Sequence, residues 1–233
     1  MKRILSYFSK TEILLWSISV LFIILSFLVF DRNNYLTLFA SLIGVTSLIF
    51  NAKGNPIGPL LMVVFSIQYG VISHTFAYYG EMITYLGMTM PMSVLALGSW
   101  LLHPHNGNRA EVNIARMKKT DTVIMIFSAI AVTFIFYFVL ERFDTANLVL
   151  STLSVTTSYL AVYLTFRRSP YYALAYAAND IILILLWMLA SISDMKYLSV
   201  VVCFAAFLCH DIYGFINWRK MKERQADETA ARL

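Results

Sequence analysis

Long apolar stretches separated by short polar segments run through almost the whole chain. A helix that spans a bilayer needs about 20 mostly apolar residues, and eight windows meet this condition. They cover roughly residues 12–30, 35–52, 57–76, 82–102, 121–140, 146–166, 171–190 and 196–217. The breaks carry loop residues such as DRNN and NAKGNP, and the weakest break lies near Tyr78-Tyr79-Gly80-Glu81. The pattern predicts an all-α integral membrane protein with eight transmembrane helices.

Composition supports this class. The chain is 59% hydrophobic and 13% charged, whereas soluble domains carry about 25% charged residues. The first apolar run is too long for a cleavable signal peptide and is not followed by a small-residue cleavage site. Cys203 and Cys209 fall in one predicted span and are interpreted as small buried hydrophobes rather than a disulfide or a metal site.

The basic residues are unevenly distributed between the two sides of the predicted bundle. Fifteen of the 18 Lys and Arg residues lie in the N-terminal tail, in the loops after spans 2, 4 and 6, and in the C-terminal tail. The positive-inside rule therefore predicts that both termini are cytoplasmic, in the cell membrane. These residues act as topology anchors, so no nucleic-acid partner is expected.

Two short matches indicate an internal repeat. SLIGVTS (Ser41–Ser47) in span 2 is similar to STLSVTT (Ser151–Thr157) in span 6, and spans 4 and 8 end in LGSW and FINW. Spans 2–4 therefore correspond to spans 6–8, and two parallel copies of three helices need one helix between them. The prediction is a 3+1+3 core with one extra N-terminal helix.

This prediction divides the chain into five segments. They are a tail with the extra helix (1–34), a first three-helix bundle (35–102), a basic cytoplasmic loop with the linker helix (103–145), a second three-helix bundle (146–217) and a cytoplasmic C-terminal tail (218–233).

Span 7 carries a polar and aromatic stripe. At about 100° per residue, one face presents Tyr172, Tyr176, Asn179, Asp180, Leu183 and Trp187, while the other is apolar. A charged Asp at mid-membrane costs about 2.5–3.5 kcal/mol, and no Lys or Arg lies inside a predicted span, since Lys196 is the first residue of span 8. Asp180 is therefore protonated, or faces water in a cavity, or binds a cation from outside. The alternative is that Asn179 and Asp180 only clamp neighbouring helices through hydrogen bonds.

Other intramembrane polar positions join this candidate site. Gln68 in span 3 lies near the position of Asp180 by the repeat, and Asp211 and Tyr213 in span 8 are second-rank candidates. Asn51 at the end of span 2, explained as a cap or as a contact, and Thr157 in span 6 complete the set.

Two further positions have local interpretations. His210 next to Asp211 suggests a proton relay. Neighbouring side chains on a helix point about 100° apart, however, so a role of His210 in helix packing or in lining the site is favoured. Pro91 cannot donate a backbone hydrogen bond and is predicted to kink span 4.

The chain resembles the PnuC-type vitamin transporters. The resemblance rests on YYGEMITYLGMTMPMSVLALGSW (78–100), the aromatic Asn-Asp helix of span 7 and DIYGFINWRK (211–220), and it covers about residues 35–222. It implies a 3+1+3 fold related to the SWEET sugar transporters, a homotrimer and facilitated diffusion of nicotinamide riboside. It also implies that a cytoplasmic kinase traps the substrate by phosphorylation without forming a stable complex. Relatives carry thiamine or riboflavin.

The family pattern has Trp four residues before an Asn or Asp, whereas Tyr176 precedes Asp180 and Ala175 precedes Asn179 here. Which of the two polar residues contacts the substrate stays open, and both nicotinamide riboside and thiamine carry a positive ring. The hypothesis is a uniporter, without a cofactor or a metal, whose site lies between the two bundles. Tyr176 and Trp187 stack on rings, while Asn179, Asp180 and Gln68 bind polar groups.

Two other classes of protein remain as alternatives. A polar-lined channel needs a continuous ring of charges or carbonyls, and no such series is present in the sequence. An intramembrane enzyme needs a catalytic set, and the sequence contains no HExxH motif, paired catalytic carboxylates or Ser/His/Asp set.

Overall fold

The computed structural model describes residues 7–75 and 79–232, so Lys2, Arg3 and Tyr78 lie outside the described residues. Within these ranges, eight helices are long and apolar enough to cross a membrane. They are α1 (Lys10–Phe30), α2 (Tyr35–Ala52), α3 (Ile57–Thr75), α4 (Tyr79–Leu102), α5 (Lys119–Arg142), α6 (Leu148–Phe166), α7 (Tyr172–Ser191) and α8 (Leu198–Ala230, after a 3-10 turn at Met195–Tyr197). The all-α membrane architecture with eight spans is confirmed.

Side chains at the polar breaks start the first helices. Ser9 and Glu12 form a reciprocal capping box at the beginning of α1, and the side chain of Asn34 accepts a hydrogen bond from the backbone N–H of Thr37 at the beginning of α2. These caps satisfy donors that a helix cannot pair internally. The short polar segments therefore set where each span begins.

The helices form two bundles of three. α2, α3 and α4 make the first bundle, and α6, α7 and α8 make the second. The bundles meet where α8 contacts α2 and where α4 contacts α6. α5 packs mainly against α6, and α1 packs against α8 and α2 from outside. This arrangement is the 3+1+3 core with an extra N-terminal helix that the sequence predicts.

The internal repeat is visible in the loops that follow α2 and α6. The N–H of Gly54 donates to the carbonyl of Asn51 at 2.9 Å, and the N–H of Arg168 donates to the carbonyl of Thr165 at 3.0 Å. Gly54 and Arg168 both have left-handed backbone angles, with φ of 65° and 55°. The two loops therefore turn in the same way, and each is followed by a proline-containing start of the next span.

This loop geometry corrects the sequence alignment of the two bundles. Superposing Pro56 on Pro170 shifts the match between SLIGVTS and STLSVTT by about one helical turn. Ser66, which is fully buried, then takes the position of Asp180. Gln68 then corresponds to Ile182, two positions after Asp180, so it stays near the position of Asp180 as predicted but does not share its helix face.

The two tryptophans that end LGSW and FINW join the bundles. Trp100 on α4 donates its Nε1–H to the carbonyl of Thr165 on α6 at 2.9 Å. Trp218 on α8 donates its Nε1–H to the carbonyl of Asn51 on α2 at 2.8 Å. The third helix of each bundle is thus bonded to the end of the first helix of the other bundle.

Residues 103–118, predicted as a loop, contain a short antiparallel hairpin of β1 (Pro104–His105) and β2 (Asn108–Val112). The predicted tail after residue 217 is also different, because α8 continues to Ala230. Gln225 holds the extension against the hairpin by donating to the carbonyl of Val112 at 3.1 Å and accepting from the N–H of Ile114 at 2.9 Å. We call the end of the bundle that carries this hairpin the hairpin face.

α4 is irregular in its middle. Residues Tyr85–Thr89 form a π-helical turn, and the regular helix resumes at Met90–Leu102 with Pro91 in its first turn. Pro91 has no N–H to continue the preceding α-helical pattern, which accounts for the irregularity just before it. The structure therefore places the predicted distortion in the turn before Pro91.

Both cysteines of α8 are free, but their surroundings differ. Cys203 is buried as predicted, whereas Cys209 is exposed on the outer side of α8. The interpretation of Cys209 as a buried hydrophobe is wrong, because it lies about a third of a turn away from the packed face that carries Cys203 and His210.

Candidate substrate site

The stripe predicted on α7 faces the interior of the protein. Asn179 and Asp180 are each 3% exposed, and Trp187 is fully buried. The opposite face is 43–51% exposed at Leu174, Ile181, Leu185 and Leu189. Ile182, which the helical period also places on the apolar face, is the exception, since it is 8% exposed. The polar face of α7 is therefore turned away from lipid.

Asp180 on α7 and Asp211 on α8 lie close enough for their carboxyl groups to interact electrostatically. Asp211 is also 3% exposed. In the described part of the chain, no amide or hydroxyl group donates to Oδ2 of Asp180. Asp211 is only a second-rank candidate from the sequence, because the rotation of α8 about its axis relative to α7 cannot be obtained from periodicity. The structure makes it the nearest acidic partner of Asp180.

Asn179 is held by a different helix from Asp180. Its Oδ1 accepts a hydrogen bond from Oγ1 of Thr157 on α6 at 2.9 Å. The structure thus brings together two of the predicted site residues across the α6–α7 contact. This bond also fits the alternative in which Asn179 clamps two helices, whereas the carboxyl group of Asp180 points to α8.

Two tyrosines lie close enough to Asp180 to interact with its charge: Tyr176 on the same helix and Tyr85 on α4. The ring of Tyr85 packs 4.4 Å from the ring of Tyr69 and is 6% exposed. Tyr85 was missed by the sequence analysis. The signal that points to it is the π-helical turn that it begins, since such turns are frequent at functional sites.

Trp187 lies too far along α7 to share a ligand ring with Tyr176. The two residues are eleven positions apart, which corresponds to about 16 Å at 1.5 Å per residue. Trp187 instead packs edge-on against Tyr69, with 6.3 Å between ring centroids, and 5.5 Å from Tyr197. This separation favours Tyr176 over Trp187 as a ring near Asp180, and the predicted stacking of both residues on rings of the substrate stays a prediction.

Tyr213 and His210 fix the extra helix α1. The hydroxyl of Tyr213 donates to Oε1 of Glu12 at 3.0 Å, and Glu12 also pairs with Lys53 at 3.2 Å. His210 shares a hydrogen bond of 3.1 Å with Ser19 on α1. In this conformation Tyr213 therefore anchors α1, and its second-rank candidacy as a substrate contact stays a prediction. His210 likewise packs against α1, as the sequence analysis favoured over a relay with Asp211.

Asn51 lies in the last turn of α2, and its side chain packs against Gly58 at the start of α3. It is 3% exposed, its Nδ2 approaches Oγ of Ser47 at 3.5 Å, and its Oδ1 has no hydrogen-bond partner in the described residues. A Cβ atom on Gly58 would lie 2.2 Å from Oδ1 of Asn51. A glycine at position 58 is therefore what allows Asn51 to occupy this position.

Asn51 and Tyr176 line one small cavity between the two bundles, together with residues of α3, α4 and α6 that include Met62, Ser93 and Thr165. Its volume is about 10 Å³, which is close to the space of one water molecule. The space beside Asn51 and Tyr176 is therefore closed in this conformation, and a vitamin needs the surrounding helices to separate before it can enter there.

Gln68 and Glu81 each have a buried side-chain oxygen without a hydrogen-bond partner in the described residues. Gln68 is half-buried with an unpaired Oε1, and no hydrogen bond joins it to the other candidates in the described ranges. Glu81 on α4 is 2% exposed, and its Oε1 accepts from Oγ of Ser154 on α6 at 3.3 Å. The sequence analysis missed Glu81 because it lies in the weakest predicted break, where a carboxylate is expected in a loop.

The site thus combines two carboxyl groups, two tyrosine rings and amide groups from α2 and α7. Lys and Arg do not occur among the buried side chains of the described residues. An enclosed acidic site without a basic partner is suited to a small cation with polar substituents.

A family model described as nicotinamide mononucleotide transporter matches residues 34–220. The nicotinamide riboside transporter PnuC of Neisseria mucosa is 25% identical over 205 residues, which is 86% of this chain and 78% of that protein. The protein of the same name from Haemophilus influenzae is 22% identical over 195 residues and 82% of each chain.

A crystal structure of the vitamin B3 transporter PnuC superposes with a TM-score of 0.81, covers 94% of both chains and is 22% identical in sequence, which confirms the fold. The family and the relatives are transporters and not enzymes. The matched region begins after α1 and ends within α8, so it contains the whole 3+1+3 core. This chain therefore belongs to the nicotinamide mononucleotide transporter family of membrane proteins.

Proposed function

We propose that this membrane transporter carries nicotinamide riboside across the cell membrane. The observation that carries the proposal is the acid pair of Asp180 and Asp211, which is buried beside two tyrosines without a buried basic residue in the described ranges. The pyridinium ring of nicotinamide riboside is a delocalised cation, and its carboxamide and ribose offer hydrogen-bonding groups. The names of the two PnuC relatives support the same substrate.

Each part of the substrate has a partner of suitable chemistry. Tyr176 and Tyr85 provide electron-rich faces for the positive ring, a contact worth about 0.5–2 kcal/mol. The carboxyl groups of Asp180 and Asp211 balance its charge. Asn179, together with Thr157, and the unpaired oxygens of Asn51 and Gln68 bind the carboxamide and the ribose hydroxyls.

Transport proceeds by alternating access in this proposal. The closed cavity lies between two bundles whose loops and tryptophan contacts are related by the internal repeat. Repeat-built transporters open by moving one bundle against the other around a central site. Separation of the α2–α8 and α4–α6 contacts opens the site to one side at a time.

The direction of net uptake comes from events outside the protein. The hairpin face is cytoplasmic, with both chain termini, because Lys and Arg residues are concentrated there. Facilitated diffusion brings the vitamin to this face, where a cytoplasmic kinase traps it by phosphorylation without a stable complex.

A homotrimer is the proposed assembly, in line with the family resemblance. The linker helix α5 has unusually few buried side chains, and it presents an apolar surface that includes Phe127, Ile130 and Phe134. Lipid or neighbouring subunits cover this surface.

The proposal is tested by thermal stabilisation of the purified protein with nicotinamide riboside, thiamine and riboflavin. We expect the largest increase in Tm with nicotinamide riboside, and a smaller increase for the variant Asp180→Asn. Asp227→Asn serves as the matched control, because Asp227 is exposed on the extension of α8. A dominant response to thiamine or riboflavin identifies another vitamin as the substrate and contradicts the proposal. Saturable uptake distinguishes a transporter from a polar-lined channel.

A further inference from the structure

A polar cavity of about 290 Å³ opens at the hairpin face, between the segment before α1, the α2–α3 loop, the hairpin and the extension of α8. Three cationic side chains line it, one from the α2–α3 loop and two from α8: Lys53, Lys220 and Arg224. The side chain of Asn108 on β2 also lines it. Ammonium, guanidinium and amide groups are the donors that bind phosphate oxygens in proteins, so the lining suits a phosphate group.

Two of these three cations are already balanced within the protein. Lys53 pairs with Glu12 at 3.2 Å, and Arg224 pairs with acidic side chains of β2 and of its own helix. Lys220 is exposed and makes no ion pair within the described part of the chain. One singly charged anion therefore completes the balance of charge in the cavity. A phosphodiester carries one negative charge, which matches this need.

An apolar groove of about 270 Å³ lies next to the polar cavity, between α1 and α2. Its walls are Phe8, Ile13 and Trp16 on one side and Ile49 and Phe50 on the other. Such a lining gains from the burial of hydrocarbon and offers little to a polar solute. The groove therefore suits part of an acyl chain.

The cavity and the groove meet at Lys53. Its ammonium lies 4.6 Å from the ring centroid of Tyr7, which lines the cavity, and 5.8 Å from that of Phe8, which lines the groove. Lys53 directly follows α2, and Lys220 follows the predicted apolar part of α8. The cavity therefore lies at the level of lipid headgroups, and the groove leads from it along the hydrocarbon region, which is the order of polar and apolar parts in a phospholipid.

The helix α1 has little other attachment to the core. Only five of its 21 residues are buried, and large apolar side chains such as Leu21 and Phe22 are more than half exposed. A molecule that contacts α1, α2 and α8 together adds apolar contact where α1 has few partners. A soluble phosphodiester occupies the cavity alone and leaves the groove unused.

We propose that a phospholipid with a singly charged anionic headgroup binds at the hairpin face, with its phosphate beside Lys220 and Lys53 in the polar cavity and one acyl chain in the groove between α1 and α2. The bound lipid fastens α1 to the core. In the orientation proposed above, it belongs to the cytoplasmic leaflet, whose anionic lipids are attracted by basic side chains next to membrane spans. This lipid site is separate from the candidate substrate site and does not depend on which vitamin is carried.

The experiment titrates the purified full-length protein in detergent with palmitoyl-oleoyl phosphatidylglycerol, and native mass spectrometry gives the Kd of the first lipid bound per chain. Two probes divide the lipid into its parts. Phosphatidylcholine has the same chains but a headgroup without net charge, and glycerophosphoglycerol has the same headgroup without chains. We expect both probes to bind at least fivefold more weakly than phosphatidylglycerol.

Two pairs of variants test the cavity and the groove separately. Lys220→Gln is expected to raise the Kd for phosphatidylglycerol about fivefold, the usual contribution of one basic residue at an anionic membrane surface. Its matched control is Lys119→Gln, which removes the same charge from an exposed position at the start of α5. Ile13→Trp fills the groove and should raise the Kd by a similar factor, whereas Ile18→Trp places the same ring on a face of α1 that is 44% exposed. Neither control is expected to change the Kd.

Four results would overturn the proposal. Equal binding of phosphatidylglycerol and phosphatidylcholine would remove the role of charge, and equal effects of Lys220→Gln and Lys119→Gln would show that only the net charge of the protein matters. Glycerophosphoglycerol that binds as tightly as the lipid would identify a soluble phosphodiester as the ligand. Equal Kd values for Ile13→Trp and Ile18→Trp would exclude the groove. Because Lys220 is exposed, its replacement leaves the fold intact, and the Tm without lipid verifies this.

A second measurement tests whether the lipid fastens α1. Amide hydrogen exchange is followed in nanodiscs of phosphatidylcholine with and without phosphatidylglycerol, because exchange reports local opening of a helix. We expect phosphatidylglycerol to slow exchange in the first half of α1 several-fold in the wild-type protein, and much less in Lys220→Gln. Exchange in α1 that is the same in both kinds of nanodisc overturns the proposed attachment.

Discussion

The indole rings of Trp100 and Trp218 lie 5.4 Å apart at the hairpin face, where the two bundles meet. Each indole N–H is bonded to a backbone carbonyl near the end of the first helix of the other bundle. Both side chains are at most 1% exposed. The two bonds are equivalent under the internal repeat, so they should contribute similarly to the closed state.

Replacing either tryptophan with phenylalanine removes one of these bonds. We expect Trp100→Phe and Trp218→Phe each to lower the free energy of unfolding by at least about 1 kcal/mol, because a buried carbonyl also loses its donor. Thermal unfolding in one detergent measures the effect. Trp16→Phe is the control, since Trp16 is 37% exposed and its bond to Thr46 lies at the surface. A loss of stability in only one of the two variants contradicts their equivalence.

The sequence predicted those features that depend on one helix at a time. The spans, the buried face of α7 and the correspondence of Trp100 with Trp218 follow from hydrophobic periodicity and short matches. The extension of α8 was missed because a charged segment was interpreted as a tail, although Met221 and Gln225 form a buried stripe on it.

Features that depend on how two helices are rotated against each other were not predicted. The approach of Asp211 and of Tyr85 to Asp180 is of this kind. Local periodicity places each residue on a face of its own helix, but not against a particular residue of a neighbour. The register of the repeat was also set by the loop hydrogen bonds rather than by the hydroxyl motifs.

The bond from Thr157 to Asn179 distinguishes a binding role of Asn179 from a helix clamp. Thr157→Val leaves Oδ1 of Asn179 without its donor, which costs about 1–3 kcal/mol of stability. If Asn179 binds the vitamin, the Kd measured by calorimetry also increases several-fold, and Thr157→Ser, which keeps the hydroxyl, restores it. A stability loss with an unchanged Kd supports the clamp instead.

Two glycines of the first bundle are expected to respond in opposite directions to alanine. At Gly58 a Cβ atom would meet both Oδ1 and the backbone nitrogen of Asn51, at 2.2 and 2.7 Å. We expect Gly58→Ala to destabilise the protein by about 1–3 kcal/mol, since the backbone contact cannot be relieved by a side-chain rotation.

At Gly98, within α4, a Cβ atom meets nothing within 4 Å. Gly98→Ala should therefore stabilise the protein by up to about 1 kcal/mol through helix propensity. Thermal unfolding of both variants checks the contrast, and equal effects would show that Asn51 is free to move away.

Substitutions of Tyr85 and Trp187 are expected to have different effects, the first on ligand binding and the second on stability. Tyr85 is close to Asp180, so Tyr85→Leu removes a ring from the proposed cation site and should raise the Kd for nicotinamide riboside by about 2- to 30-fold, as expected for a loss of about 0.5–2 kcal/mol. Trp187 is fully buried about two helical turns from Asp180. Trp187→Phe should therefore lower Tm while the Kd of the folded protein stays within about twofold, because a ring remains to pack against Tyr69. Calorimetry at a temperature well below both Tm values makes the comparison. A larger increase in Kd for Trp187→Phe than for Tyr85→Leu would move the ring-binding position towards the end of α7 that lies away from the hairpin face.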